Sequence, residues 1–193
     1  MNIFFRDRDD FLASNASLDE FREKMSGYVS LKRDIIGIRN SALLNLFVLD
    51  CTALNEGMIK HCEQLYDSLI QFQVTMNRSW NRTICNQFDE MATRLGEIPD
   101  ETKALVDLQR YLKASMNETM PGLMDKIDTA TRRVLFLLDV TILPTEDIQL
   151  NTRVFQWPKD MTSVFDLAKT RTGHRRDQVL NYSYIASDES VEV

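Results

Sequence analysis

Between about Arg39 and Leu95 apolar side chains recur every three or four residues: Phe47, Cys51, Leu54, Met58, Cys62, Leu65, Leu69, Phe72, Met76, Trp80, Ile84, Phe88, Met91 and Leu95. That spacing keeps side chains on one face of a helix. No proline interrupts the run, and Gly57 is the single glycine inside it. The pattern predicts a helix roughly 80 Å long, at the α-helical rise per residue. A stripe of that length needs a partner helix. Asp100 to Val140 supplies one, with Leu105, Leu108, Leu112, Met116, Leu123, Ile127, Val134 and Leu138 at matching intervals. Gly96 suits a left-handed residue after the helix end, with Pro99 just beyond, and Asp100 can cap the second helix. So short a connection implies antiparallel neighbours. The expected fold is therefore all-α: a long antiparallel, coiled-coil-like helical hairpin over 34–143, turning near 96–100, with short flanking helices. Leu69 and Leu112 are its expected helix–helix contacts.

The flanks are shorter. Residues 1–33 form a lead and a short helix. Ser17 and Glu20 have the spacing of a capping box, and Phe21, Met25 and Tyr28 step along one face to about Lys32. Gly37, among Ile35, Ile36 and Ile38, marks a break. Pro121-Gly122 predicts a kink near Met120, because proline removes a backbone donor and clashes with the preceding turn. The run Val134 to Leu138 is apolar on every side and needs a second covering surface. Residues 144–182 read as an extended connector followed by a final helix. In the connector Phe155 and Trp157 point to one side. Pro158 biases Trp157 away from helical geometry and opens the helix bearing Met161, Val164, Phe165 and Ala168, which closes near Gly173. Trp157 is expected to pack on Val134–Leu138 and clamp that helix to the hairpin. The polar, acidic stretch 183–193 reads as a disordered tail.

Composition narrows the function classes. Six Gly and four Pro in 193 residues favour helix over sheet. A net charge of −6 argues against a nucleic-acid partner, since phosphate neutralisation needs a basic surface. No stretch has the length of a membrane span, and MNIFFRDRDDF lacks the layout of a signal peptide. Cys51, Cys62 and Cys85 are an odd set, expected reduced and buried as in the cytosol. His61 and Cys62 are adjacent, hence about 100° apart on a helix, and make no metal site. The six glycines are isolated, so no phosphate-binding loop exists, and two histidines offer little for a catalytic triad. Lys169, Arg171, Arg175 and Arg176 read as a solvated helix end. No catalytic constellation, cofactor or metal is expected.

Two stretches carry a resemblance. Asn81-Arg-Thr-Ile-Cys-Asn-Gln-Phe-Asp-Glu-Met91, then Pro99 to Leu105 and Leu108-Gln-Arg-Tyr-Leu112, is similar to the tail of dynein heavy chains, where N-x-x-[IL]-C-x-x-[FY]-[ED] ends a long helix. Glu146-Asp-Ile-Gln-Leu-Asn-Thr-Arg-Val-Phe-Gln-Trp-Pro158 resembles the D-[IV]-x-L-N-x-x-x-F-x-W segment that introduces the linker of axonemal dynein heavy chains. Met161 and Phe165 follow as in that family. The resemblance covers roughly residues 15 to 166.

It implies a non-catalytic piece of the stem just before the linker. Such a piece joins the assembly side of the tail to the force-generating linker in microtubule-based ciliary movement. Its implied partners are other dynein subunits (intermediate or light chains) and the rest of the heavy chain, with no membrane and no direct microtubule contact. Its implied location is cytoplasmic, in the cytoskeleton of the axoneme. After about Asp166 the sequence leaves the family pattern, which suggests a truncated or alternatively spliced product without the ATPase ring. The alternative is a free-standing helical module that binds a partner helix.

Overall fold

The structure, a computed structural model, describes residues 3–99 and 101–188, with side chains for 6–99 and 101–175. It is all-α apart from one small hairpin. In chain order the elements are α1 (Ile3–Ala13), α2 (Leu18–Ile36), β1 (Ser41–Leu44), β2 (Phe47–Asp50), α3 (Thr52–Gly96), α4 (Thr102–Ala114), a π-helical turn (Ser115–Thr119), α5 (Met120–Val140) and α6 (Thr145–Asp188).

The capping box starts α2: Ser17 N–H donates to the Glu20 carboxylate at 2.6 Å, and Glu20 N–H donates to Ser17 Oγ at 3.3 Å. The Ser17 N–H, and after it the Ser17 hydroxyl donating to the same carboxylate at 2.8 Å, hold the Glu20 carboxyl below its ordinary value. After Gly37 the chain does not enter the long helix, as the apolar spacing predicts. It makes an antiparallel hairpin first, pairing Ser41 with Asp50 and Leu44 with Phe47 around the two-residue loop Asn45-Leu46. Asn45 has φ 54°, a left-handed conformation that Asn tolerates better than most residues. Phe47, Cys51 and Leu54 share helical spacing by coincidence, whereas Phe47 and Val48 are also good strand formers. Asp50 then ends the strand and caps α3, accepting from Thr52 N–H at 2.9 Å.

The chain forms two compact units. The first comprises 1–77 and 133–143, the second 78–132 and 144–193. In the first, α2, the front of α3 and the end of α5 enclose Phe21, Met25, Leu69, Ile70, Val74, Val134, Phe136 and Leu137. Phe21 stacks on Phe72 at 5.9 Å and meets Phe11 edge-on at 4.9 Å. Only part of the run 134–138 is covered: Leu135 and Leu138 stay more than half exposed.

In the second unit the rest of α3 runs antiparallel to α4 and α5. Arg94 lies over the Tyr111 ring, and Trp80 Nε1 donates to the Lys126 carbonyl at 3.2 Å, so rising numbers on one helix meet falling numbers on the other. Ile84, Phe88, Met91, Leu95, Leu108, Leu112, Leu123 and Ile127 fill the core with α6 residues from Val154 to Ala168.

Further expected helix ends and breaks are redrawn. Gly96 does not adopt the left-handed conformation; it is the last residue of α3, and its carbonyl accepts from Arg171 Nη1 at 3.0 Å. Asp100, the expected cap, lies outside the described residues, and Glu101 holds the N-cap position of α4 without a side-chain bond. The disturbance before Pro121 is a π turn, with Met120 N–H bonded to the Ser115 carbonyl. Widening the helix there accommodates the pyrrolidine ring against the turn behind it.

Most consequential, 145–157 is not extended. It is the start of α6, which continues through Pro158 and past Gly173 to Asp188. Pro144 and the acidic pair Glu146-Asp147 make a sound helix N-terminus there. Asn151, Val154, Trp157, Met161, Phe165 and Ala168 are all buried and share one helical face. Burial of that face offsets the roughly 3 kcal/mol that an interior proline costs a helix. The stretch expected as a tail from 183 is therefore helical to Asp188, and 189–193 lie outside the described residues.

Candidate functional site

The chemistry-bearing contacts of the second unit concentrate where α3 meets the first four turns of α6. Asp147 lies in the opening turn of α6, its N–H donating to the Pro144 carbonyl at 3.0 Å. Its carboxylate is almost wholly buried and is gripped by both Nε and Nη2 of Arg78, the latter at 2.8 Å. This bidentate geometry suits a guanidinium, whose planar fork matches a carboxylate, and it satisfies a charge that burial would otherwise penalise. The paired carboxylate in turn raises the Arg78 guanidinium above its ordinary value, through the hydrogen bond first and the charge second.

One turn further along each helix, Asn81 Nδ2 donates to Asn151 Oδ1 at 2.7 Å, and Asn151 Nδ2 donates to the Asp147 carbonyl at 2.7 Å. Both amides are buried. Two turns beyond, Phe88 and Trp157 stack with centroids 5.2 Å apart and planes within 10°. Arg153 covers Trp157 at 3.9 Å and is itself held by Asp160 at 2.6 Å. Cys85 sits beside the indole; burial pushes its thiol up, with Trp157 opposing. Charge pair, amide pair and ring stack thus follow one another along a single seam. Each permits only one register of α6 on α3, because polar groups shifted by a turn would be buried without partners.

Asn81, Ile84, Cys85 and Phe88 come from the first of the two quoted motifs. Asp147, Asn151 and Trp157 come from the second. Residues some seventy positions apart in the chain therefore interlock side chain to side chain, and relatives built on this seam are expected to keep both motifs together. The human dynein axonemal heavy chain 3 is 33% identical over 168 residues, 87% of this chain, and its mouse counterpart 34% identical over 140 residues. The chain is a relative of the axonemal dynein heavy chains. Human dynein axonemal heavy chain 12 is similar at 25% identity over 158 residues. The chain spans only 4% of the length of the human heavy chain 3 and 5% of heavy chain 12. No family model matches it.

The residues singled out in the sequence occupy distinct places in this dynein-related chain. Leu69 is fully buried in the core of the first unit, and Leu112 is buried in the core of the second. Trp157 is 4% exposed, packed on Phe88 rather than on Val134–Leu138 as expected. Phe155, two residues earlier on a helix instead of a strand, points elsewhere and is 40% exposed. Pro158 borders a cavity of about 280 Å³ with Met116, Met120, Thr162 and Phe165, beside the π turn. Sequence reasoning missed Arg78, Asp147 and the two asparagines as a network. The signal was present: in a helical reading, Asp147, Asn151 and Trp157 fall on one buried face, as do Arg78, Asn81 and Phe88. Among the described residues no group of His, Cys, Asp and Glu could hold a metal, and no helix is long and apolar enough to cross a membrane.

Proposed function

We propose that this chain is a non-catalytic structural segment of a dynein heavy chain tail, joining the assembly side of the stem to the linker. The observation that carries the reading is the interlocked seam of Arg78–Asp147, Asn81–Asn151 and Phe88–Trp157. A segment that transmits force needs helices that cannot slide, and buried polar pairs flanked by close-packed rings resist sliding more sharply than apolar packing alone. In this reading Leu69 and Leu112 hold helix against helix, Trp157 and Pro158 fix α6, and the exposed Phe155 faces a neighbouring part of the motor. The partners are the rest of the heavy chain and intermediate or light chains, the setting is the axoneme, and microtubule contact belongs to other parts of the motor.

The test is direct. The isolated chain should give no saturable heat with ATP by calorimetry and should stay in the supernatant when microtubules are pelleted. The genomic sequence downstream of Leu180 should encode a linker and an ATPase ring. Saturable nucleotide binding, or a downstream genomic sequence without a ring, would overturn the reading in favour of a free-standing module.

A further inference from the structure

Within the second unit, the turn between α3 and α4 and one side of α6 enclose a cavity of about 290 Å³. Its floor is aliphatic: Leu95, Leu105, Leu108 and Ala168 border it and are all buried. Its mouth is not. Arg171, His174 and Arg175 line it from α6, at the three- and four-residue intervals that put side chains on one helix face. Arg171 Nη1 donates to the Gly96 carbonyl at 3.0 Å, which fixes that guanidinium beside the cavity with most of its donors still unspent. Glu97 lines the cavity from the turn. Two guanidiniums against one carboxylate leave this lining net positive, in a chain whose net charge is −6.

The interior selects the kind of anion. Thr172 supplies the one hydroxyl of the described lining, and its proton is already committed to the Ala168 carbonyl at 2.8 Å. Pro99, also in the lining, has no N–H. A peptide carbonyl laid on this floor would be buried without a donor, a cost that an alkyl chain does not incur. A wholly apolar guest would leave the guanidiniums unused, and a dianion would exceed the single net charge around the mouth. At water's liquid share of roughly 30 Å³, the cavity takes a guest of about ten non-hydrogen atoms.

We infer that this cavity is a binding site for a small aliphatic monocarboxylate, its chain among Leu95, Leu105 and Leu108 and its carboxylate held by Arg171 and Arg175. The planar fork of a guanidinium matches the two oxygens of a carboxylate. A ligand seated there touches the α3–α4 turn and α6 together, and so ties α6 to the turn. The site is separate from the seam around Trp157 and does not depend on the stem reading, which the ATP calorimetry tests by itself.

Octanoate, an aliphatic acid of the right size, is the probe. It is titrated into the methyl-labelled 22.4 kDa full chain and followed by nuclear magnetic resonance. Methyl signals of Leu95, Ile98, Leu105 and Leu108 should shift saturably, with a dissociation constant of roughly millimolar or below for so small a ligand. Octanamide should bind more weakly and octylammonium most weakly, because the order follows charge at constant chain length. A blocked leucyl-glutamate dipeptide, which carries an aliphatic group and a carboxylate on a backbone, should bind more weakly than octanoate. Arg171→Gln together with Arg175→Gln should weaken octanoate about tenfold and leave octanamide unchanged, whereas Glu97→Gln should tighten octanoate. Circular dichroism checks that the variants fold, and the comparison of ligands on the wild-type chain decides the matter without them. Four results would each overturn the proposal: equal binding of octanoate and octylammonium; tighter binding of the dipeptide; shifts that appear first at Leu43, Leu44 and Leu49 of the β1–β2 hairpin; or no saturable shift up to about 20 mM.

Discussion

Replacing Trp157 by Ala probes the seam where its packing is densest. The indole is 4% exposed, so nearly its whole surface leaves water on folding. At about 200 Å² and roughly 25 cal/mol per Å², complete burial is worth about 5 kcal/mol, an upper bound because unfolded chains already hide some apolar area. Truncated aromatic core residues typically cost about 3–5 kcal/mol, and the present site falls in that range because Phe88 and Arg153 leave the void little room to collapse. The stack itself is separable. In a double-mutant cycle with Phe88→Ala, the coupling should be about 0.5–1.5 kcal/mol, the usual excess of an aromatic pair over its area. Urea titration followed by far-ultraviolet circular dichroism measures all four corners. In a Trp80→Phe background, the remaining indole should also emit blue-shifted light and resist iodide. A cost below about 1 kcal/mol, or a cycle that is additive, would mean that Trp157 does not sit in the packed seam and that the register argument fails.

Thiol chemistry gives an independent check. Burial, more than any other influence, pushes the Cys62 and Cys85 thiols above their ordinary value, so both should alkylate far more slowly with iodoacetamide in the native chain than in urea; equal native and denatured rates would contradict their placement. Acid titration examines the caps. The folded values of Glu20 and Asp50 lie below the ordinary 4.5 and 3.8, so their stabilisation is complete above those values and is lost as the pH falls through the lower folded ones. Glu20→Gln removes the titrating carboxyl and should flatten the acid loss of melting temperature below about pH 4.5; an unchanged slope would show that the Glu20 bonds do not stabilise the fold.

The sequence carries the long helices and both cores plainly, because Leu65, Leu69, Ile84, Phe88 and Met91 repeat at a period that only a helix satisfies. The capping box at Ser17 is equally legible, since both its partners lie within one turn. What misleads is local chemistry overruled by tertiary packing. Pro158 argues for a break after Trp157, yet a stripe running from Asn151 to Ala168 has enough buried surface on both sides of the proline to carry the helix through it. At 41–50 the ambiguity runs the other way. Short apolar runs satisfy helical and strand periods alike, and only the left-handed Asn45 decides the matter. The Arg78–Asp147 grip was hidden because charged residues on long helices read as solvated until a partner helix is known.

The π turn at Ser115–Thr119 has a consequence for how such sequences align. A turn of this kind holds one residue more than an α turn, so it is the form in which a helix absorbs a single-residue insertion. Ser115 and Leu123 are both buried, eight residues apart. On an uninterrupted α-helix they would diverge by about 80°, and absorbing one residue brings them to within about 20°. A relative that lacks one residue between these positions would therefore present the same core face on a straight helix. A gap placed elsewhere in α4 or α5 would instead rotate every core leucine downstream of it by about 100°. Evolutionary length changes in this helix are thus channelled to one turn, next to the proline that already disturbs it.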